Sequence, residues 1–256
     1  MVIAEMLGVP PEKYETFKQW SDAIVAADNT LPGTPLPPEV PQARHALADY
    51  FHEEIERRRR HPGPDLVSAL VAHQEAETLS ADELLSFLVL LLLAGNETTT
   101  NLIGNGMLSL GRHPRQLDRL RKEPALLPGA IEEMLRYDGP VQSTVRHPKE
   151  RVDIGGTIVE PGTAAFVLLA AANRDPAQFK DPETFDITRQ PNDHLAFGDG
   201  IHFCIGAPLA RLEGAIAIGS MLERFPRLRL ADPDATPEYK GSFFLRGLNS
   251  LKMTID

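Results

Sequence analysis

The chain has 256 residues, 42% of them apolar and 24% charged. That balance suits one or two globular domains and excludes a disordered chain or a collagen-like fibre. Lys and Arg total 26 against 36 Asp and Glu, a net charge of −10, which argues against a nucleic-acid partner. The single cysteine, Cys204, excludes an intrachain disulfide and an all-cysteine zinc site, and fits a reducing cytoplasm.

The chain opens without a basic leader, so no secretory signal is expected. Residues 11–27 carry Tyr14, Phe17, Trp20, Ile24 and Val25 at helical spacing. Leu31-Pro32-Gly33-Thr34-Pro35 breaks that helix. A second helix is predicted from Glu39 to Arg60, stopped by His61-Pro62-Gly63-Pro64, and a third over Leu66–His73. The four arginines Arg57 to Arg60 read as a solvated helix end that complements the helix dipole.

A long helix is predicted to start at Ser80, where Ser80 and Glu83 spell a capping box, and to run to about Gly111. It is apolar nearly all round, which predicts a central helix. Its longest apolar run, Phe87 to Ala94, is short of the ~20 residues that span a bilayer, so no membrane segment is expected. Its middle, Ala94-Gly95-Asn96-Glu97-Thr98-Thr99-Thr100, is weak and polar, because Gly costs about 1 kcal/mol relative to Ala in a helix. Such a spot inside a buried helix points to function.

Further helices are predicted at Pro114–Lys122 and Leu127–Tyr137. Residues 151–169 switch to strands and hairpin turns, with Gly155-Gly156 and Pro161-Gly162 as breaks. A loop-rich stretch covers Asn173 to His202, a helix follows from Ala207 to about Phe225, and the tail from Arg229 reads as a short sheet.

The densest signal is Phe197-Gly198-Asp199-Gly200-Ile201-His202-Phe203-Cys204-Ile205-Gly206-Ala207. Glycines bracket the only cysteine and the loop feeds directly into a helix. A thiolate at a helix N-terminus has a lowered pKa and ligates metals well. A lone Cys is more often a small buried apolar residue, but the glycines and His202 weigh against that here. A zinc site at His194, His202 and Cys204 lacks a fourth ligand.

This loop resembles the heme-binding loop of the cytochrome P450 family, Phe-x-x-Gly-x-His/Arg-x-Cys-x-Gly, through Phe197, Gly200, His202, Cys204 and Gly206. Three more family motifs occur in order. Ala94-Gly95-Asn96-Glu97-Thr98 matches the oxygen-activating motif, and Glu133-Met134-Leu135-Arg136 matches Glu-x-x-Arg. The stretch from Asn173-Arg174-Asp175-Pro176 to Arg189 matches the meander. The style is that of soluble bacterial members.

The resemblance implies a mainly α fold with small β-sheets: one partial cytochrome P450 domain over residues 1–256, without the family's N-terminal helices. Its F and G helices would cover about 11–61, the oxygen helix 81–111, the Glu-x-x-Arg helix 127–137, β segments 151–169, the meander and heme loop 173–206, and a last helix 207–225. It implies heme b (iron protoporphyrin IX) as cofactor, with Cys204 as the thiolate metal ligand that pushes electron density onto iron. Phe197, Gly198, Gly206, Ala94 and Gly95 would line the cofactor, with Gly95 leaving room for oxygen. His202 and Arg146 would bond heme propionates, for which an Arg fork is suited. Glu97 and Thr98 are the implied acid–alcohol pair that relays protons to dioxygen.

Glu133 and Arg136, three apart on one helix face, would give structural support. The usual third member, an arginine in Pro-Glu-Arg-Phe, is absent, since this chain reads Pro182-Glu183-Thr184-Phe185; Arg189 or Arg174 are the substitutes. Arg112, Arg115, Arg119, Arg121 and Lys122 form a candidate cationic face for an acidic electron donor.

The implied activity is a cytoplasmic heme-thiolate monooxygenase, an oxidoreductase that inserts one atom of O2 into a small organic substrate of bacterial secondary metabolism. Its electrons would come from NAD(P)H through a ferredoxin or flavoprotein, with no nucleic acid and no membrane involved. The alternative is a non-catalytic heme-binding remnant without a closed pocket. A shortened gene model, an expressed fragment and a naturally reduced protein are equally consistent with the missing N-terminal part.

Overall fold

The structure, a computed structural model, describes residues 2–27, 35–76 and 78–255. The break expected at Leu31 to Thr34 lies outside them. The chain divides into two compact units, Met1–Glu97 and Thr98–Asp256.

The first unit is helical: α1 (Val2–Met6), α2 (Tyr14–Ala26), α3 (Glu39–Arg60), α4 (Leu66–Glu75) and the start of α5 (Ala81–Arg112). Its core joins Phe17 and Ile24 of α2, Leu47, Phe51 and Ile55 of α3, and Leu84, Leu88 and Leu92 of α5. These recur at spacings of four or seven residues, so each helix turns one apolar face inward. Phe17 meets Tyr50 and Phe51 edge-on, at centroid distances of 4.7 and 6.2 Å. The short α1 was not legible, because five residues carry too little periodicity.

The Ser80–Glu83 capping box is formed. Glu83 Oε2 accepts the Ser80 N–H at 2.8 Å, and Ser80 Oγ accepts the Glu83 N–H at 3.2 Å. The arginine run departs from expectation. Arg58 is buried, with its Nε donating to Asp65 Oδ2 at 2.6 Å. Asp65 also caps α4 by accepting the Ser68 N–H at 2.9 Å. The solvated reading fails at Arg58 because the chain folds back after Pro64 and brings a carboxylate under the helix end.

In the second unit, α5 continues with α6 (Pro114–Lys122), α7 (Leu127–Asp138), α8 (Leu169–Ala172) and α9 (Ala207–Arg224). Three two-stranded antiparallel sheets accompany them. β1 (Thr144–Arg146) pairs with β4 (Ala165–Val167), β2 (Val152–Ile154) with β3 (Thr157–Val159), and β5 (Arg229–Leu230) with β6 (Met253–Thr254). The strand expected through Leu169 stops at Val167, where α8 takes over. The core joins Leu102, Met107 and Leu110 of α5, Ile131, Met134 and Leu135 of α7, Phe185 and Ile187, and Ile218 and Leu222 of α9.

By length and composition alone, α5 is the one described helix able to cross a membrane. Its C-terminal half buries Asn101, Asn105 and Ser109. Asn105 Nδ2 donates to the carbonyls of Asp138 (3.1 Å) and Arg246 (3.0 Å). Those partners are protein groups, as in a core helix. The all-round burial expected of α5 holds over residues 101–110 only, since Leu90, Thr100 and Arg112 are exposed.

Candidate heme-thiolate site

The ion pair on α7 is fully buried. Arg136 Nε donates to Glu133 Oε2 at 2.8 Å and its second guanidinium arm to Oε1 at 2.9 Å. The third member is Arg189, whose Nε lies 3.2 and 3.3 Å from the two carboxylate oxygens. Arg174, the other candidate, pairs instead with Glu183 and donates to the Tyr137 carbonyl at 2.5 Å. Glu133 also accepts from the Asp186 N–H (2.8 Å) and Asn192 Nδ2 (3.2 Å). Arg136 reaches the carbonyls of Asn173, Pro182 and Thr184 at 2.8–3.0 Å. A buried pair repays its desolvation only when the remaining donors and lone pairs are matched in this way.

Asn173 carries this network toward the cysteine. It is 2% exposed, and its Oδ1 accepts the Leu195 N–H at 2.7 Å. The Leu195 carbonyl accepts the Gly198 N–H at 2.9 Å, and the Phe197 carbonyl accepts the Cys204 N–H at 2.9 Å. Between them Gly198 (φ +71°) and Gly200 (φ +63°) take the left-handed conformation that L side chains rarely adopt. A short 3₁₀ turn, Gly200–His202, brings the chain back. Cys204 is half-buried and lies just ahead of α9, with Pro208 in the first turn of that helix.

Around the sulfur the loop is apolar and open. Ile201 is 98% and Ile205 76% exposed, and Phe203 is half exposed. A hypothetical side chain at Gly200 would meet nothing within 4 Å. Among the described residues, no cluster of three His, Cys, Asp or Glu could hold a metal ion. A single sulfur donor in an apolar rim fits a metal whose other ligands come from a flat, apolar macrocycle, and heme meets that requirement.

The other expected residues fall as follows. His202 is exposed on the 3₁₀ turn. Arg146 lies on β1, half-buried, and donates to its own strand, to Thr144 Oγ1 (3.0 Å) and the Val145 carbonyl (2.9 Å). Glu97 is buried and Thr98 half-buried on α5, and Ala94 is exposed. The missing side chain of Gly95 has a packing reason: a Cβ there would lie 3.0 Å from Ile3 Cβ. On α6, Arg115, Arg119 and Lys122 are exposed, whereas Arg121 turns inward to the Leu228 carbonyl at 2.5 Å.

Glu132, Arg211 and His194 were not anticipated as a group. Glu132 Oε1 and Oε2 accept from the Arg211 fork at 2.7 and 2.8 Å, and His194 Nε2 lies 3.2 Å from Oε2. Burial raises the Glu132 pKa, but the Arg211 and His194 hydrogen bonds outweigh it and hold the carboxyl at about 2. No spacing signals this group, because 79 residues separate Glu132 from Arg211.

The cytochrome P450 family model matches residues 33–251. Cytochrome P450 107B1 of Saccharopolyspora erythraea is 46% identical over 252 residues, 98% of this chain and 60% of that protein. The biotin biosynthesis cytochrome P450 of Bacillus subtilis is 44% identical over 256 residues, 100% of this chain and 64% of that one. A crystal structure of P450BioI with a hexadec-9Z-enoic acid-ligated acyl carrier protein superposes with a TM-score of 0.91 at 42% identity, covering 100% of this chain and 65% of that one. The chain therefore spans about three fifths of the length of the curated relatives it matches. A glycine-turned loop that presents one sulfur, braced by a buried Glu–Arg–Arg network, and a family match over 33–251 lead to one assignment: this chain belongs to the cytochrome P450 family.

Proposed function

We propose that the chain is the heme-binding part of a monooxygenase that oxidises a small organic molecule in the bacterial cytoplasm. Cys204 is the thiolate ligand of heme b. The observation that carries the reading is the Cys204 loop itself: one half-buried sulfur, two left-handed glycines and an open apolar rim. Bound there, heme b supplies the iron at which O2 is reduced and one oxygen atom is inserted into the substrate.

The chain's own residues do the rest. The Cys204 N–H bond to Phe197 fixes the backbone that carries the sulfur. Arg146, whose guanidinium bonds its own strand, and exposed His202 would hold the heme propionates. Glu97 and Thr98, adjacent on α5, would hold and pass protons at their carboxyl and hydroxyl oxygens. Electrons come from NAD(P)H through a ferredoxin or flavoprotein, with exposed Arg115, Arg119 and Lys122 as the approach for an acidic donor. A small organic substrate of secondary metabolism is in keeping with one relative, named 6-deoxyerythronolide B hydroxylase.

The test is the absorption of the reduced, CO-bound chain. A red-shifted Soret band, lost in Cys204→Ser, supports the reading, and identical pigment content and spectrum in Cys204→Ser refutes it. The alternative reading is a heme-binding remnant without turnover. Product formation with peroxide or a surrogate ferredoxin system excludes it.

A further inference from the structure

Two adjacent glutamates on α7 face different partners. Glu133 belongs to the network with Arg136 and Arg189. Glu132 grips Arg211, four residues beyond the first residue of α9, through both carboxylate oxygens at 2.7 and 2.8 Å. The Arg211 guanidinium lies over the Phe197 ring, 4.6 Å from its centroid. That ring opens the cysteine loop, and its residue's carbonyl holds the Cys204 N–H at 2.9 Å. His194 completes the contact, its Nε2 3.2 Å from Glu132 and its ring 6.1 Å from Phe197. Arg211 thus joins the ring at the start of the loop to the helix that follows Cys204.

Geometry makes this a clamp. A bidentate Arg–carboxylate pair fixes the guanidinium plane, which a lysine at the same position would not do. A fixed cation over a ring face restrains the ring. Arg211 is held above its usual range chiefly by its bond to Glu132.

We propose that Arg211, oriented by Glu132, is a positioning residue for the Cys204 sulfur. It holds the Phe197-to-Cys204 backbone bond in register and so sets how much of the bound heme carries thiolate ligation. The thiolate part rests on the heme reading above; the backbone part does not.

Two measurements on the full chain separate these parts. In the heme-free chain, Arg211→Gln should speed amide exchange of the Cys204 N–H about tenfold, with Glu132→Gln close behind. In the heme-loaded chain, Arg211→Gln should cut the red-shifted fraction of the reduced CO complex roughly threefold, with Arg211→Lys in between. Unchanged exchange at Cys204 in Arg211→Gln overturns the proposal, and so does an unchanged thiolate fraction in a parent that shows one. A parent with no red-shifted band whose Arg211→Gln variant still exchanges faster sinks the heme reading and supports the clamp.

Discussion

Arg189 sets its Nε 3.2 and 3.3 Å from the two oxygens of Glu133, 56 residues earlier in the chain. It supplies the cation that the meander lacks at Thr184. The guanidinium also donates to the carbonyls of Lys180 (2.7 Å), Asp181 (3.2 Å) and Thr184 (2.9 Å), so one side chain closes the meander onto α7.

Removing the carboxylate should cost more than removing this cation. Glu133→Gln leaves two arginines around a neutral amide, and the cost should be about 3–5 kcal/mol, the usual penalty for an orphaned buried charge. Arg189→Ala leaves the Glu133–Arg136 pair intact and should cost about half as much, with Arg189→Lys less again. Urea midpoints for the three variants check the order. An Arg189→Ala loss equal to that of Glu133→Gln would mean that the triad is indivisible.

Asn173 links that triad to the loop through two different atoms. Its carbonyl takes Arg136 at 2.9 Å, and its Oδ1 takes the Leu195 N–H at 2.7 Å. Asn173→Ala keeps the first bond and removes the second, a part-buried hydrogen bond worth about 1 kcal/mol. Amide exchange at Leu195 should rise by the corresponding factor while exchange in the middle of α5 follows only the global change. Uniform acceleration throughout the second unit would show that Asn173 is a general stability residue.

The legible parts of this molecule were those written in local pattern. The bounds of α3 and α6 follow from periodicity and prolines, and the Ser80–Glu83 box from a spacing of three. The site was legible where spacing is short, as in Glu133 to Arg136 and Phe197 to Gly206. Choosing Arg189 over Arg174 needed the fold, because both lie in the meander and only the backbone path decides which one reaches α7. The Glu132–Arg211 pair and the Asn173 bridge were invisible for the same reason. The inward turn of Arg58 was missed because a run of four arginines reads as solvent-facing unless a carboxylate seven residues on returns beneath it.

The packing of Gly95 makes a third prediction. Alanine in a helix interior is favoured over glycine by about 1 kcal/mol, but a Cβ at this position would lie 3.0 Å from two side-chain atoms of Ile3. Gly95→Ala should therefore lose most of that gain in the parent and recover it in an Ile3→Ala background. The coupling from a double-mutant cycle of thermal midpoints should be about 1 kcal/mol. Zero coupling, with a gain in both backgrounds, would free Gly95 from a packing role and return it to the oxygen reading.

The last prediction concerns acid. Glu132 is held at about 2, below its ordinary 4.5: burial pushes it up, and the Arg211 and His194 bonds more than reverse that. A depressed carboxyl binds fewer protons in the folded chain than in the unfolded one. Its contribution is therefore complete above about pH 4.5 and is lost as the pH falls toward about 2. Partial exposure of Arg211 screens the pair, so the contribution is on the order of 2 kcal/mol. The stability gap between the parent and Glu132→Gln should be widest near neutrality and should narrow steadily below about pH 4.5. Urea midpoints taken between pH 3 and 7 give the slope. A gap that stays constant with pH would mean that the carboxylate charge is not what holds Arg211.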